Sequence, residues 1–267
     1  MSAAVASRSE RASLRIRVRS VGMGKPRAWL SAGMQDFRHA PAVSLAYGVF
    51  WVGLSIAITA GAVAMGYWYL LLPLVAGFMI VGPLVAVGSF GIARALEEGR
   101  SPTLGDAFGG WRAHAGQLIM MGFMLALVLL AWFNLAMILF ALFFGMEIPN
   151  PTEFYSALLT TPRGWGLLLT GTIAGAGLAF GAFTISVVAV PTLMDQDLTF
   201  MEGIEASVRT VGENLLPMLV WAAMLTGAVV IGVLTFYVGL ALILPVLGFA
   251  SWHAYEDLVR IEKSESV

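Results

Sequence analysis

Four long stretches without a charged residue constrain the fold of this chain more than any other feature. They cover residues 42–93, 115–146, 164–194 and 215–255 and contain no Asp, Glu, Lys or Arg. A helix of about 20 apolar residues crosses the ~30 Å hydrocarbon core of a membrane. None of the stretches alternates apolar and polar residues with a period of two, as the strands of a membrane barrel do. The sequence therefore predicts an all-α, polytopic membrane protein.

Two of these stretches are too long for one crossing each. Residues 42–93 break at "GYWYLLLP", where Gly66 and Pro73 predict a turn. Residues 215–255 would be roughly 60 Å long as one helix at ~1.5 Å per residue, so we expect a second turn near Tyr237. The sequence thus predicts six membrane helices, which are about 43–65, 70–93, 117–145, 165–190, 216–236 and 240–257.

The distribution of basic residues predicts the orientation. With both termini in the cytoplasm, 14 of the 15 Lys and Arg residues lie inside and Arg163 alone lies outside. A five-helix arrangement would export Arg260 and Lys263. Because short cytoplasmic loops are enriched in Lys and Arg, we expect six crossings with both termini cytoplasmic. The absence of cysteine excludes disulfides, thiolate metal sites and thiol catalysis.

Three short amphipathic segments precede membrane helices. Thr199 and Glu202 form the pattern of a capping box, Thr103 and Asp106 occupy the same spacing, and Pro26 predicts a helix start. Each segment has an arginine after a large apolar residue and shortly before its end. We therefore predict three repeats of an interfacial helix followed by a transmembrane hairpin. The residues expected at the interface are Trp29, Phe37, Arg38, Trp111, Arg112, Phe200, Val208 and Arg209.

Several of these segments resemble one family. The segments "PRAWLSAGMQDFRHAPAVSLAYG", "LVAGFMIVGPLVAVGSFGIARALEEGRSP", "VAVPTLMDQDLTFMEGIEASVRTVGENLLPMLVWA" and "LILPVLGFASWHAYEDLV" are similar to the domain-of-unknown-function family 2189 of bacterial integral membrane proteins. The resemblance covers about residues 26–259. It implies a six-helix inner-membrane protein and no established activity.

Candidate metal ligands fall at the expected cytoplasmic ends of the helices. His39, His114 and His253 could converge on a metal there, but their spacing matches no ligand motif, and solvated histidines are the simpler interpretation. Asp195 and Asp197 could share a hard cation. A solvated turn that leads into the capping box is the simpler interpretation of both residues. We therefore predict no cofactor, no metal and no enzyme activity.

The predicted spans contain few polar residues, and the small residues of the fourth span form a regular pattern. Asn134 predicts an interhelical hydrogen bond. Gly82 and Pro83 would interrupt a helix, as in some transporters. Two overlapping small-xxx-small pairs predict close packing of the fourth span against a neighbour in this chain or in another subunit. The four glycines of these pairs are Gly171, Gly175, Gly177 and Gly181.

The chain is expected to have one folded domain and two tails. We predict a basic, disordered tail over residues 1–25, a transmembrane domain over 26–259 and a tail over 260–267. The basic tail should attract anionic lipid, and without a folded motif it does not predict nucleic-acid binding. Its "LRIRVR" segment could instead add a strand to a partner.

Two functions are compatible with these patterns. The first is an accessory or structural partner of a membrane complex, for example a respiratory one. The alternative is a transporter or channel for a small neutral or apolar solute, because the spans lack ionisable residues for ion coupling.

Overall fold

The computed structural model describes residues 14–145 and 150–263, and almost all of them are helical. A 3-10 turn, Trp68–Leu70, precedes α3. In chain order, the elements are β1 (Leu14–Val18), α1 (Lys25–His39), α2 (Pro41–Ala64), α3 (Leu71–Glu97), α4 (Leu104–Ala113), α5 (Ala115–Phe144), α6 (Pro151–Thr160), α7 (Pro162–Ser186), α8 (Ala189–Asp195), α9 (Phe200–Glu213), α10 (Leu215–Leu234), α11 (Leu240–Leu258) and β2 (Val259–Lys263).

Five helical segments of the described residues are long and apolar enough to cross a membrane. They are Pro41–Ala64, Trp68–Glu97, Ala115–Phe144, Pro162–Asp195 and Leu215–Leu234. The sixth predicted span forms as α11 but is not among these five, because its last two turns carry His253, Glu256 and Asp257. The polytopic membrane fold is confirmed.

The two predicted turns form by left-handed backbone conformations. Gly66 has a φ of 80° between α2 and the 3-10 turn. Phe236 and Tyr237 have φ values of 53° and 68° between α10 and α11. A left-handed conformation is costly for a large side chain, so the second hairpin turn is tightly constrained by the helices that it joins.

The short helices α4 and α9 begin with the capping boxes that the sequence predicts. At α4, the Asp106 side chain accepts from the Thr103 backbone, while the Asp106 backbone donates to the Thr103 hydroxyl. Thr199 and Glu202 do the same at α9. Hydrogen bonds from Thr103 and Arg100 hold the pKa of Asp106 at about 2, well below its usual range. Both boxes satisfy backbone amides that a helix start leaves free.

Three junctions join a short helix to the next long helix through one residue of similar conformation. The φ and ψ values are −133° and 56° at Ala40, −126° and 36° at His114, and −126° and 35° at Asn214. The residue seven positions before each junction is small and buried: Gly33, Ala107 and Ser207. The residue seven positions after each junction is large and buried: Tyr47, Met121 and Trp221.

This register changes the alignment of the arginines. Arg38 and Arg112 lie two positions before their junctions, whereas Arg209 lies five positions before Asn214. The residue of the third segment that corresponds to the first two arginines is Gly212. The arginine pattern noted in the sequence is therefore out of register in the third segment.

Each short helix packs closely on another helix: α1 on the distant α11, and α4 and α9 on the helical segments that precede them. A Cβ on Gly33 of α1 would lie 2.6 Å from the Ala250 backbone nitrogen of α11. A Cβ on Gly91 of α3 would overlap the backbone of α4. In α9, the Ser207 hydroxyl accepts a hydrogen bond of 3.1 Å from the Val188 amide, just before α8. Small residues at these positions allow the helix backbones to approach.

The ends of the described chain form an antiparallel two-stranded sheet. Leu14 pairs with Lys263 and Val18 pairs with Val259, so the segment "LRIRV" does form a strand, and its partner belongs to the same chain. Here the structure differs from the expectation of a disordered tail, while residues 1–13 and 264–267 lie outside the described residues.

Helix α6 is absent from the sequence predictions. The Asn150 side chain accepts a hydrogen bond of 2.9 Å from the Glu153 amide, and Pro151 occupies the first turn. Asn followed by Pro is a recognised helix start, so the signal was present.

Candidate functional site

A large apolar cavity lies between the long helices. Its volume is about 760 Å³, and its walls come mainly from α3, α5, α7, α10 and α11. Tyr69 and Phe154 line one end, and Phe90 and Ser251 line the other. The cavity therefore extends along much of the length of the helices.

Small residues and a proline shape the cavity walls. Gly82 and Pro83 of α3 and Gly171 and Gly175 of α7 all line it. Pro83 lies inside α3 and lacks the amide that would bond the preceding turn. A Cβ on Gly175 would lie 2.9 Å from the ring of Trp132 in α5. Larger side chains at these positions would occupy the space that the cavity leaves open.

The Trp132 indole is fixed in the wall. Its Nε1 donates a hydrogen bond of 2.9 Å to the Pro73 carbonyl of α3. Because this polar atom already has a partner, the ring presents an apolar surface to the cavity.

Polar groups are few in the cavity lining. Thr172, Thr226 and Ser251 contribute hydroxyls, and Ser251 donates to the Leu247 carbonyl of its own helix at 2.8 Å. No Asp, Glu, Lys, Arg or His is among the described residues that line the cavity. The described lining therefore offers shape and apolar surface with a few hydroxyl groups.

A network of polar side chains surrounds the last two turns of α11. The Nε2 atom of His253 lies 2.7 Å from Asp36 of α1, and its Nδ1 atom lies 3.5 Å from Glu256. A ring that faces carboxylates at both nitrogens is favoured as the imidazolium ion. Trp252 donates a hydrogen bond of 2.7 Å to Glu97 of α3. These contacts join α1 and α3 to the end of α11.

Asp195 belongs to the same network. The Tyr255 hydroxyl of α11 donates to its Oδ2 at 2.9 Å, and Arg94 of α3 lies 3.8 Å from its Oδ1. Protein groups thus engage the first aspartate of the "DQD" segment, which explains its position without a cation.

The start of α1 is held to the end of α11. Lys25 and the Trp29 indole both donate to Asp257 Oδ2, at 2.8 and 2.7 Å. Two donors compensate the negative charge, which is partly buried.

One of the three histidines, His253, lies close to carboxylates that could share a metal with it. Among the described residues, Glu97, His253 and Glu256 place possible ligand atoms within 4.8 Å of one another. His39 is exposed at the end of α1, and His114 occupies a helix junction. Neither belongs to this group, so the three histidines do not form one metal-binding group.

The four glycines expected in helix packing have different surroundings. Gly171 and Gly175 line the cavity. Of the four glycines, only Gly175 has an atom within 4 Å of the position that a Cβ would take. Gly177 and Gly181 are exposed. Asn134 is also exposed, and its Nδ2 donates to the Leu130 carbonyl of its own helix at 2.8 Å.

The residues expected at the interface also divide into groups. Trp29 is buried, with its ring edge-on to Trp221 at 5.7 Å. Three others are half-buried against the core: Phe37, Trp111 and Phe200. Three arginines are exposed: Arg38, Arg112 and Arg209. Val208 is 44% exposed and does not share the buried stripe of α9.

The buried stripe of α9 consists of small residues, because the helix packs closely on α8. A Cβ on Gly203 would lie 2.9 Å from the Leu193 side chain. Ala206 and Thr210 continue this face. A search of the sequence for large hydrophobic residues alone would therefore miss the buried face of α9.

The region that contains most of the cavity walls matches a known family model. Residues 71–195 match the model described as "Predicted integral membrane protein (DUF2189)". These residues are similar to the DUF2189 family and make up just under half of the chain. The DUF2189 region begins at α3 and ends with α8, so it includes the cavity walls from α3, α5 and α7. No curated protein and no solved structure matches the chain.

Proposed function

We propose that this integral membrane protein binds an apolar or amphiphilic membrane molecule in its cavity and acts as its carrier. The observation that carries the proposal is a cavity of about 760 Å³ inside a bundle of apolar helices, with no charged side chain among the described residues that line it. Ligand sites commonly measure ~300–1,000 Å³ and combine apolar walls with a few polar groups. Thr172 and Thr226 supply such groups from α7 and α10.

The arrangement of the walls supports entry from the membrane. Helix α7 packs mainly against α5, α6 and α3, whereas α10 packs mainly against α11 and α1. Helices α7 and α10 both line the cavity but make little contact with each other, which leaves a gap between them on the membrane side. Ion carriage would require ionisable groups along the path, so the lining favours a small neutral or apolar solute.

Filling the cavity should remove this binding. Gly171 lines the cavity, and a Cβ there has no neighbour within 4 Å, so Gly171→Trp directs an indole into open space. We expect photolabelling of Val229, a buried cavity-lining residue of α10, by a long-chain alcohol with a diazirine in its chain to fall by about tenfold in liposomes, which corresponds to ~1.4 kcal/mol.

Gly177→Trp is the matched control. Gly177 lies on the same helix, is exposed and has no atom within 4 Å of an added Cβ. This variant should keep the labelling of α10. Equal labelling of α10 in the two variants, with unchanged thermal unfolding of both, would contradict the proposed binding site.

We also propose six membrane crossings. The pairing of β1 with β2 supports this number, because it places the two ends of the described chain on one side of the membrane. Five crossings would place them on opposite sides. Helix α11 has 19 residues, about 28 Å at ~1.5 Å per residue, and supplies the sixth crossing.

The similar junctions and their shared pattern of burial support three repeats of a short helix and a hairpin. We propose a bacterial inner membrane with cytoplasmic termini, because the described basic residues Arg17, Arg19, Lys25 and Arg27 lie beside the sheet end and suit anionic lipid.

Cysteine labelling can test the number of crossings, since the chain has no native cysteine. We expect Gly22→Cys and Arg260→Cys to react with an impermeant maleimide from the same side of the membrane. Val238→Cys, in the exposed turn between α10 and α11, should react from the other side. Labelling of Gly22→Cys and Arg260→Cys from opposite sides would exclude six crossings.

A role as an accessory partner of another membrane complex is the second candidate. The outward-facing Gly177 and Gly181 favour it, because small residues on an exposed face of α7 permit close contact with another helix. Mild-detergent extraction followed by identification of co-eluting chains tests this role. Recovery of the isolated protein alone would contradict it.

A further inference from the structure

Asn134 lies on the outward face of α5, deep in a membrane-spanning helix. It is exposed, and it precedes the end of the helix at Gly145 by eleven residues. At ~1.5 Å per residue this distance is about 16 Å, so the side chain lies near the middle of a ~30 Å hydrocarbon core.

The Asn134 carboxamide has unused hydrogen-bonding capacity. A carboxamide has two N–H donors and one carbonyl acceptor. Nδ2 donates to the Leu130 carbonyl at 2.8 Å, and Oδ1 accepts no hydrogen bond from the described residues. The Thr170 hydroxyl, also exposed in a span, instead bonds the Gly166 carbonyl of its own helix. Because hydrocarbon offers no hydrogen bonds, the free amide groups of Asn134 favour a protein partner.

The residues around Asn134 form a continuous apolar stripe. Phe123, Leu127, Leu130 and Ile138 are spaced three, four or eight positions apart and are all exposed. None of them lines the cavity. The stripe is therefore separate from the proposed binding site and is long enough to contact another helix.

We infer that this face of α5 is an interface between two copies of the chain, with the two Asn134 carboxamides bonded to each other. A carboxamide carries both a donor and an acceptor, so it complements itself. In a twofold-symmetric dimer each residue near the axis faces its own counterpart. Two copies in the same membrane orientation present α5 in parallel, which places Asn134 opposite Asn134 at the same depth. A second copy thus satisfies the amide without a group from any other protein.

Single-cysteine cross-linking in native membranes tests this interface. Leu130→Cys lies one turn from Asn134 and should form a disulfide-linked dimer on oxidation. Ile173→Cys is the control, because Ile173 of α7 is 73% exposed and lies outside the stripe. We expect Asn134→Leu, added to Leu130→Cys, to lower the dimer fraction at low protein density. The association constant should fall by about three- to thirty-fold, the range for amide bonds between membrane helices.

Asn134→Gln should retain most of the dimer, because it keeps the carboxamide. Thermal unfolding of the purified variants should be equal in detergent that separates the copies. Three results would overturn the interface: no cross-link at Leu130→Cys, equal cross-linking at Leu130→Cys and Ile173→Cys, or an unchanged dimer fraction with Asn134→Leu. Cross-linking of Leu130→Cys to a different protein alone would also overturn it.

Discussion

Alanine in place of Gly48 is expected to prevent the accumulation of folded protein. Gly48 of α2 is buried, and a Cβ there would overlap the backbone carbonyl group of Ala241 in α11. A backbone cannot rotate away as a flexible side chain does. Overpacking of a core usually costs ~1–3 kcal/mol, and separation of α2 from α11 adds further lost contacts. The yield of monodisperse protein in size-exclusion chromatography and the unfolding temperature measure the effect.

Gly53→Ala supplies the matched control in the same helix. Gly53 is exposed, and no atom lies within 4 Å of an added Cβ. Alanine favours a helix interior over glycine by ~1 kcal/mol, so this variant should fold normally and be slightly more stable. If the two alanine variants have the same yield and stability, α2 and α11 do not make the close contact described above.

Trp29→Ala is expected to destabilise the protein by about 3–5 kcal/mol, the usual range for removal of a buried aromatic side chain. Trp29 is 1% exposed, packs edge-on against Trp221 and donates a hydrogen bond to Asp257. The substitution leaves a cavity between α1 and α10, and Lys25 becomes the remaining donor to Asp257 Oδ2. Chemical or thermal unfolding in detergent measures the change in the free energy of unfolding.

The control for this substitution is Trp165→Ala. Trp165 lies near the start of α7 and is 53% exposed, so its removal should change the free energy of unfolding by less than about 0.5 kcal/mol. A loss for Trp29→Ala as small as that for Trp165→Ala would show that α1 does not contribute to the core.

Membrane helices were predictable because their length and composition are set by the membrane itself. The span expected at 117–145 is α5, Ala115–Phe144, and both capping boxes formed where their residue types and spacing indicated. These features depend on neighbours within one or two turns. The local sequence therefore contains the information needed to identify them.

The cavity was not predictable, because it depends on which helix faces meet. Gly171 and Gly177 belong to the same glycine-rich run, yet one lines the cavity and the other faces outward. Likewise, the contact between His253 and Asp36 joins residues 217 positions apart. Residue type and spacing gave no indication of such pairs. Trp29, which was expected at the interface, is in the core because it packs against Trp221 of a distant helix.

The pairing of the first and last strands has a consequence for biosynthesis. Strand β1 leaves the ribosome before all other described elements, and its partner β2 leaves after them. Helix α1 also cannot complete its packing early, because its Gly33 and Trp29 contact residues of α10 and α11. Since synthesis delivers the chain from the N-terminus, this face of α1 stays uncovered during translation. A truncated chain that lacks α10 and α11 keeps it uncovered, so such an incomplete product differs from a finished one by an accessible tryptophan surface.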